Sequence, residues 1–124
     1  MAYSQTVNLV TGDTLPELTF TLKDSKTAAA GKTLDENDSS TWAPINVTGA
    51  AVKLRLRVLG STTVKSTLTC TITDGSAGEV ATDFPVGTLD TAGTLEGEVE
   101  ITFSSGGIQT VYDLIKLKVR SDFD

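Results

Sequence analysis

Glu96, Glu98 and Glu100 recur at every second position, and paired carboxylates are what general acid–base and glycoside chemistry require. On a strand, that spacing sets all three on one face, where like charges repel instead of flanking a substrate from facing elements. The row is expected to be a solvated strand face. Lys53, Arg55 and Arg57 repeat the spacing with opposite sign, alternating with Val52, Leu54, Leu56 and Val58. This basic row fits a solvated face lying opposite the glutamates; a docking surface for another protein comes next, ahead of a phosphate-binding stripe. The run Asp35-Glu36-Asn37-Asp38 gathers oxygens that could ligate Ca²⁺. It lacks the Asp-x-Asp-x-Asp-Gly spacing and distal glutamate of an EF-hand loop, so an acidic loop tip is the expectation.

The missing residues narrow the chemistry further. The chain has no histidine, which removes the commonest general base, the Ser–His and Cys–His pairs and the commonest zinc ligand. Its single cysteine, Cys70, can form neither an intrachain disulfide nor a cysteine-based zinc site. Cys70 shares a phase with Leu68 and Ile72, which marks it as core filler. No catalytic residue, metal ligand or cofactor is assigned, and the chain is read as non-enzymatic. A net charge of −6 argues against a dedicated nucleic-acid binder. No apolar run approaches the ~18 residues of a membrane span. The start Met1-Ala2-Tyr3-Ser4 has no signal-peptide character, so a soluble product of the cytoplasm, without membrane contact, is expected.

The elements that must position these residues are strands. Leu95, Val99, Ile101 and Phe103 alternate with Thr94, Glu96, Glu98, Glu100 and Thr102, the pattern of a strand with one dry face. Similar alternation runs through Leu18–Leu22, Ala51–Leu59 and Ser66–Thr73, with a weaker strand at Glu79–Phe84. The 21 threonines, 11 valines and 5 isoleucines suit pleated surfaces. A last strand, Ile108 to Val119, carries Val111, Ile115, Leu117 and Val119 in phase but is interrupted by Asp113, which predicts a bulge or break near Tyr112-Asp113-Leu114. Pro16 bars its neighbours from a central ladder position. About seven strands punctuated by turns every ten or so residues predict an all-β, antiparallel β-sandwich in one domain, residues 1–124, with a barrel as runner-up. Residues 1–10 read as a first strand or an N-terminal arm carrying Tyr3, Val7 and Leu9. Residues 24–46 read as a long unstructured loop carrying Asp35, Glu36 and Trp42. Trp42, the only tryptophan, either plugs one open end of the sandwich or is an exposed anchor for a partner.

Particular residues then resemble a family. Gly12-Asp13-Thr14-Leu15-Pro16-Glu17-Leu18-Thr19-Phe20-Thr21-Leu22-Lys23-Asp24 resembles the "GDT-x-P-x-L-x-F-x-L-x-D" opening of the N-terminal domain of phage baseplate upper proteins. Ile45 to Val52 resembles that family's "dLTGatV" entry to its next strand, and Gly78-Glu79-Val80 its "G-x-V". Thr91 to Phe103 resembles "aGtYeaEfevtf", followed by a glycine turn and a final strand. The resemblance implies an immunoglobulin-like β-sandwich, a role in a phage particle, no enzyme activity and no cofactor. The stretch Asp24–Ile45 is longer than the family's short turn, and no fibre or receptor-binding domain follows before Asp124.

The leading expectation is therefore a phage virion structural protein of a tail, neck, baseplate or fibre-attachment point. It would act through contacts with other phage structural proteins and be present in multiple copies. Tyr3, Val7, Leu9, Asp35, Glu36 and Trp42 are the candidate partner contacts: the arm by adding a strand to a neighbouring sheet, the loop by ordering on assembly. The alternatives are a capsid decoration protein and a carbohydrate-binding adsorption module, the latter resting on Trp42, Tyr3 and Tyr112.

Overall fold

The computed structural model describes residues 3–14, 17–111 and 114–123; Pro16, Tyr112, Asp113 and the side chain of Tyr3 lie outside the described residues. In chain order the strands are β1 (Tyr3–Val10), β2 (Leu18–Thr21), β3 (Lys23–Ala28), β4 (Trp42–Pro44), β5 (Ala51–Val58), β6 (Ser66–Asp74), β7 (Glu79–Thr82), β8 (Gly93–Thr102), β9 (Ile108–Thr110) and β10 (Leu114–Arg120). The only helical turn among the described residues is a 3₁₀ turn at Ser39–Thr41. The protein is all-β.

The main sheet runs β1-β10-β8-β5-β6-β7-β2, with β9 also against β8. Strand β6 makes it curl. Its first half, Ser66 to Cys70, pairs with β5, whereas Thr71, Ile72 and Asp74 pair with β7. One strand thus passes from one part of the sheet to the other, and the two parts close around a single core. Val52, Leu54 and Leu56 of β5, Val99 and Ile101 of β8, Leu117 of β10, and Val80 of β7 are almost wholly buried there, together with Phe84. These are the dry phases of the alternating segments. Each fully buried leucine or phenylalanine contributes about 1.5–3 kcal/mol of transfer free energy.

The expectation of an antiparallel sheet needs correction. β1 and β10 pair in parallel, Gln5 with Ile115 through Val10 with Arg120, so the sheet is mixed. Antiparallel pairing is enforced where a short hairpin joins two strands; almost the whole chain separates β1 from β10, and nothing fixes their relative sense. Of the two readings of residues 1–10, first strand or arm, Tyr3–Val10 takes the first and is a strand of the sheet. The ten strands among the described residues also exceed the expected seven. β3 and β4 form a separate two-stranded sheet inside the region expected to be an unstructured loop, with Lys23 opposite Pro44 and Asp24 opposite Ala43. Its composition is polar because it lies outside the main core and needs no apolar alternation.

Ile108–Thr110 and Leu114–Arg120 are two separate strands, both paired with β8, and Tyr112 and Asp113, where a bulge or break is expected, lie outside the described residues. Val111, Ile115, Leu117 and Val119, which share a phase in the sequence, are all buried.

Candidate functional site

The outer face of the main sheet carries the charged rows. In register, Lys53 lies opposite Glu100, Arg55 opposite Glu98 and Arg57 opposite Glu96, so the basic and acidic rows meet as the alternation suggested. The pairs are partly diagonal. Arg55 forks onto Glu100, with Nη1 donating to Oε2 at 2.7 Å and Nη2 to Oε1 at 3.0 Å. Arg57 Nη2 approaches Glu96 Oε1 at 3.3 Å. The partly exposed Arg55–Glu100 pair contributes about 0.2–1 kcal/mol, less at high salt.

Glu96 departs from the expected solvated row: it is 8% exposed. Lys116 of β10 lies opposite it on the other side, so the carboxylate sits between a basic residue on each neighbouring strand. The sequence reads Thr94–Phe103 and the last strand as partners joined by the glycine turn at Ser104–Gly107, and they do pair, but alternation does not show that Lys116 is the residue opposite Glu96. Beside Glu96 is a depression of about 90 Å³ lined by Arg55, Arg57, Thr62, Val64, Glu98 and the buried Leu114. It is too small for a sugar or nucleotide, whose sites run to several hundred Å³.

The acidic run is organised by its own backbone. Asp35 Oδ1 accepts from Asn37 N at 2.9 Å, and Asp38 Oδ1 accepts from Ser40 N at 3.0 Å and from Ser40 Oγ at 2.7 Å. The Ser40 hydroxyl and amide hold the Asp38 carboxyl below its ordinary pKa. Glu36 is exposed and ion-pairs with Lys26 of β3. Asp35 and Asp38 cap turns, and among the described residues no three His, Cys, Asp or Glu residues gather as metal ligands would. Trp42 is buried, 3% exposed, and its Nε1 donates to the Asp35 carbonyl at 3.0 Å. Asp35 and Glu36 are thus at the surface of the β3–β4 unit, while Trp42 is inside it.

The other candidate contacts lie on β1. Leu9 is buried in the core, and Val7 is half-buried against it. At the same end of the sheet, Lys65 Nζ bonds Asp90 Oδ1 at 2.7 Å and holds that carboxyl below its usual pKa. Val58, Leu59 and Val64 around the β5–β6 turn are about half exposed, an apolar group that alternation alone did not single out.

Cys70 is buried opposite Val52, and burial pushes its thiol up to about 11. It is protonated at neutral pH and is not a nucleophile there. Because the folded thiol ionises later than the unfolded one, the stability it supports is complete below 9.0 and is lost as pH rises toward about 11. Denaturant midpoints of the Cys70→Ala protein are expected to fall less across that window than those of the wild type. Equal slopes would show that burial does not perturb the thiol.

No protein-family model and no curated protein sequence matches this chain.

Proposed function

We propose that the protein is a non-enzymatic structural component of a phage particle, built on an immunoglobulin-like β-sandwich and acting through protein–protein contacts at a tail, neck, baseplate or fibre-attachment point. The order of the strands is the observation that carries this reading. An immunoglobulin constant-type domain has seven strands, A to G, in sheets ordered A-B-E-D and C-F-G. With β1, β2, β5, β6, β7, β8 and β10 taken as those seven, the pairings β2-β7-β6 and β5-β8-β10 reproduce B-E-D and C-F-G. Two departures are physically simple. The first strand sits beside the last instead of beside the second, and the fourth is long enough to pair in both layers.

The motifs that resemble the baseplate upper family fall on two turns and one central strand of this plan. Gly12-Asp13-Thr14 follows β1, Gly78 opens β7, and the Thr94–Thr102 alternation is β8. The absence of histidine from the sequence supports the non-enzymatic part. Contacts would be made through the surfaces that the strands present, with other phage structural proteins as partners and the particle as location. Mass spectrometry of purified particles tests this. The protein is expected among the virion proteins in many copies, and its absence from intact particles would reject the reading.

A further inference from the structure

β1 is the end of the main sheet, and among the described residues no strand pairs with its far edge. In a parallel ladder, every second residue turns its N–H and C=O away from the neighbour, so β1 presents a row of such groups outward. Among the described residues, the only backbone bond from Gln5–Val10 outside the β10 ladder is Asp13 N to the Val10 carbonyl.

Proteins protect such edges with short strands, charges, proline or bulges. The opposite end of the sheet follows that rule, because β2 has only four residues. β1 does not. Apart from an irregularity between Tyr3 and Gln5, its register is unbroken to Val10, and none of its residues is charged, proline or glycine. Thr6 and Asn8 are exposed, and Val7 is left half-buried at the margin of a core in which Leu9 is fully covered.

We propose that this edge is an interface between copies of the chain: β1 pairs antiparallel with β1 of a second molecule about a two-fold axis, joining two sheets into one. Neutrality selects the second copy over a strand of another protein. A two-fold contact lays the strand against its own copy in reverse, so charges of one sign would be crowded together across the axis, and this strand carries none in a chain of net charge −6. The added strand also covers Val7. Gln5–Val10 extends about 20 Å, which gives an interface below the ~800 Å² per partner of a standard one, so the pairing is weak in dilute solution and strengthens with concentration. It rests on the strand edge alone and is independent of the virion reading.

The test is sedimentation velocity over a concentration series from micromolar to millimolar. Wild-type protein is expected to shift toward dimer. A chain with both Thr6→Lys and Asn8→Lys is expected to associate about tenfold more weakly, through repulsion across the axis. Mixing it with a chain carrying Thr6→Glu and Asn8→Glu is expected to restore the dimer. Wild type that stays monomeric throughout, or charged variants that associate as the wild type does, would overturn the proposal. Should the variants fail to fold, amide exchange of the wild type decides: β1 protection that rises with concentration supports the interface, and unchanged protection overturns it.

Discussion

Gly78→Ala is expected to destabilise the protein by about 2–5 kcal/mol, a large part of the ~5–15 kcal/mol that holds a domain of this size together. Gly78 has φ +72°, where a side chain costs about 1–2 kcal/mol. A methyl group there would also lie 2.7 Å from both the Leu22 and the Ile45 carbonyl oxygens. Those atoms are backbone and cannot rotate away. They also belong to the neck of the β3–β4 unit, where Leu22 N donates to the Gly78 carbonyl at 2.8 Å and Ile45 N to the Leu22 carbonyl at 2.9 Å. Three segments meet at one glycine. Gly12→Ala is the control, because Gly12 has φ +84° with nothing within 4 Å of an added methyl. It should cost only the conformational part, about 1–2 kcal/mol. Urea denaturation of the two variants measures the difference; equal losses would mean that the close approach at Gly78 contributes nothing.

Trp42→Ala is expected to remove about 3–5 kcal/mol, and to do so locally. Trp42 begins β4, which among the described residues pairs with β3 alone, and its indole ties the Asp35 carbonyl to the interior of that unit. Ala29 N bonds the Thr41 carbonyl beside it at 2.8 Å. Amide exchange should show the amides of residues 23–44 losing protection while those of β5, β8 and β10 keep theirs. Trp42→Phe should retain the packing and lose mainly the Nε1 hydrogen bond, about 1 kcal/mol. Protection lost evenly over the whole sheet would mean that Trp42 supports the main core and not the smaller unit. The variants also bear on function: if Asp35 and Glu36 contact a partner, Trp42 acts on that contact only by holding the turn that presents them.

The charged face shows how far local pattern reaches. Alternation in Ala51–Val58 and Gly93–Thr102 places Arg55, Arg57, Glu96 and Glu100 on the wet side, and the two rows do meet. It does not show that Glu96 is buried, since that depends on Lys116 arriving on the far side through the pairing of β10 with β8. The β3–β4 unit was illegible for a different reason. Lys23–Ala28 is polar and lies off the core, so its pairing is fixed by backbone and turn bonds that leave no hydrophobic period.

Period-two hydrophobicity determines, from the sequence alone, that β2, β5, β6, β7 and β8 are strands and which of their faces is dry, because successive side chains on a strand point to opposite sides. It determines as well that Cys70 belongs with Leu68 on the inner side of β6. Only the tertiary structure decides which strands are neighbours: that β1 joins β10 in parallel, that β6 serves two partners, and that Glu96 is covered. The physical reason is that sheet pairing is made by backbone groups common to every residue, so partner choice between distant strands is settled by closure of the whole core and leaves little trace in any one segment.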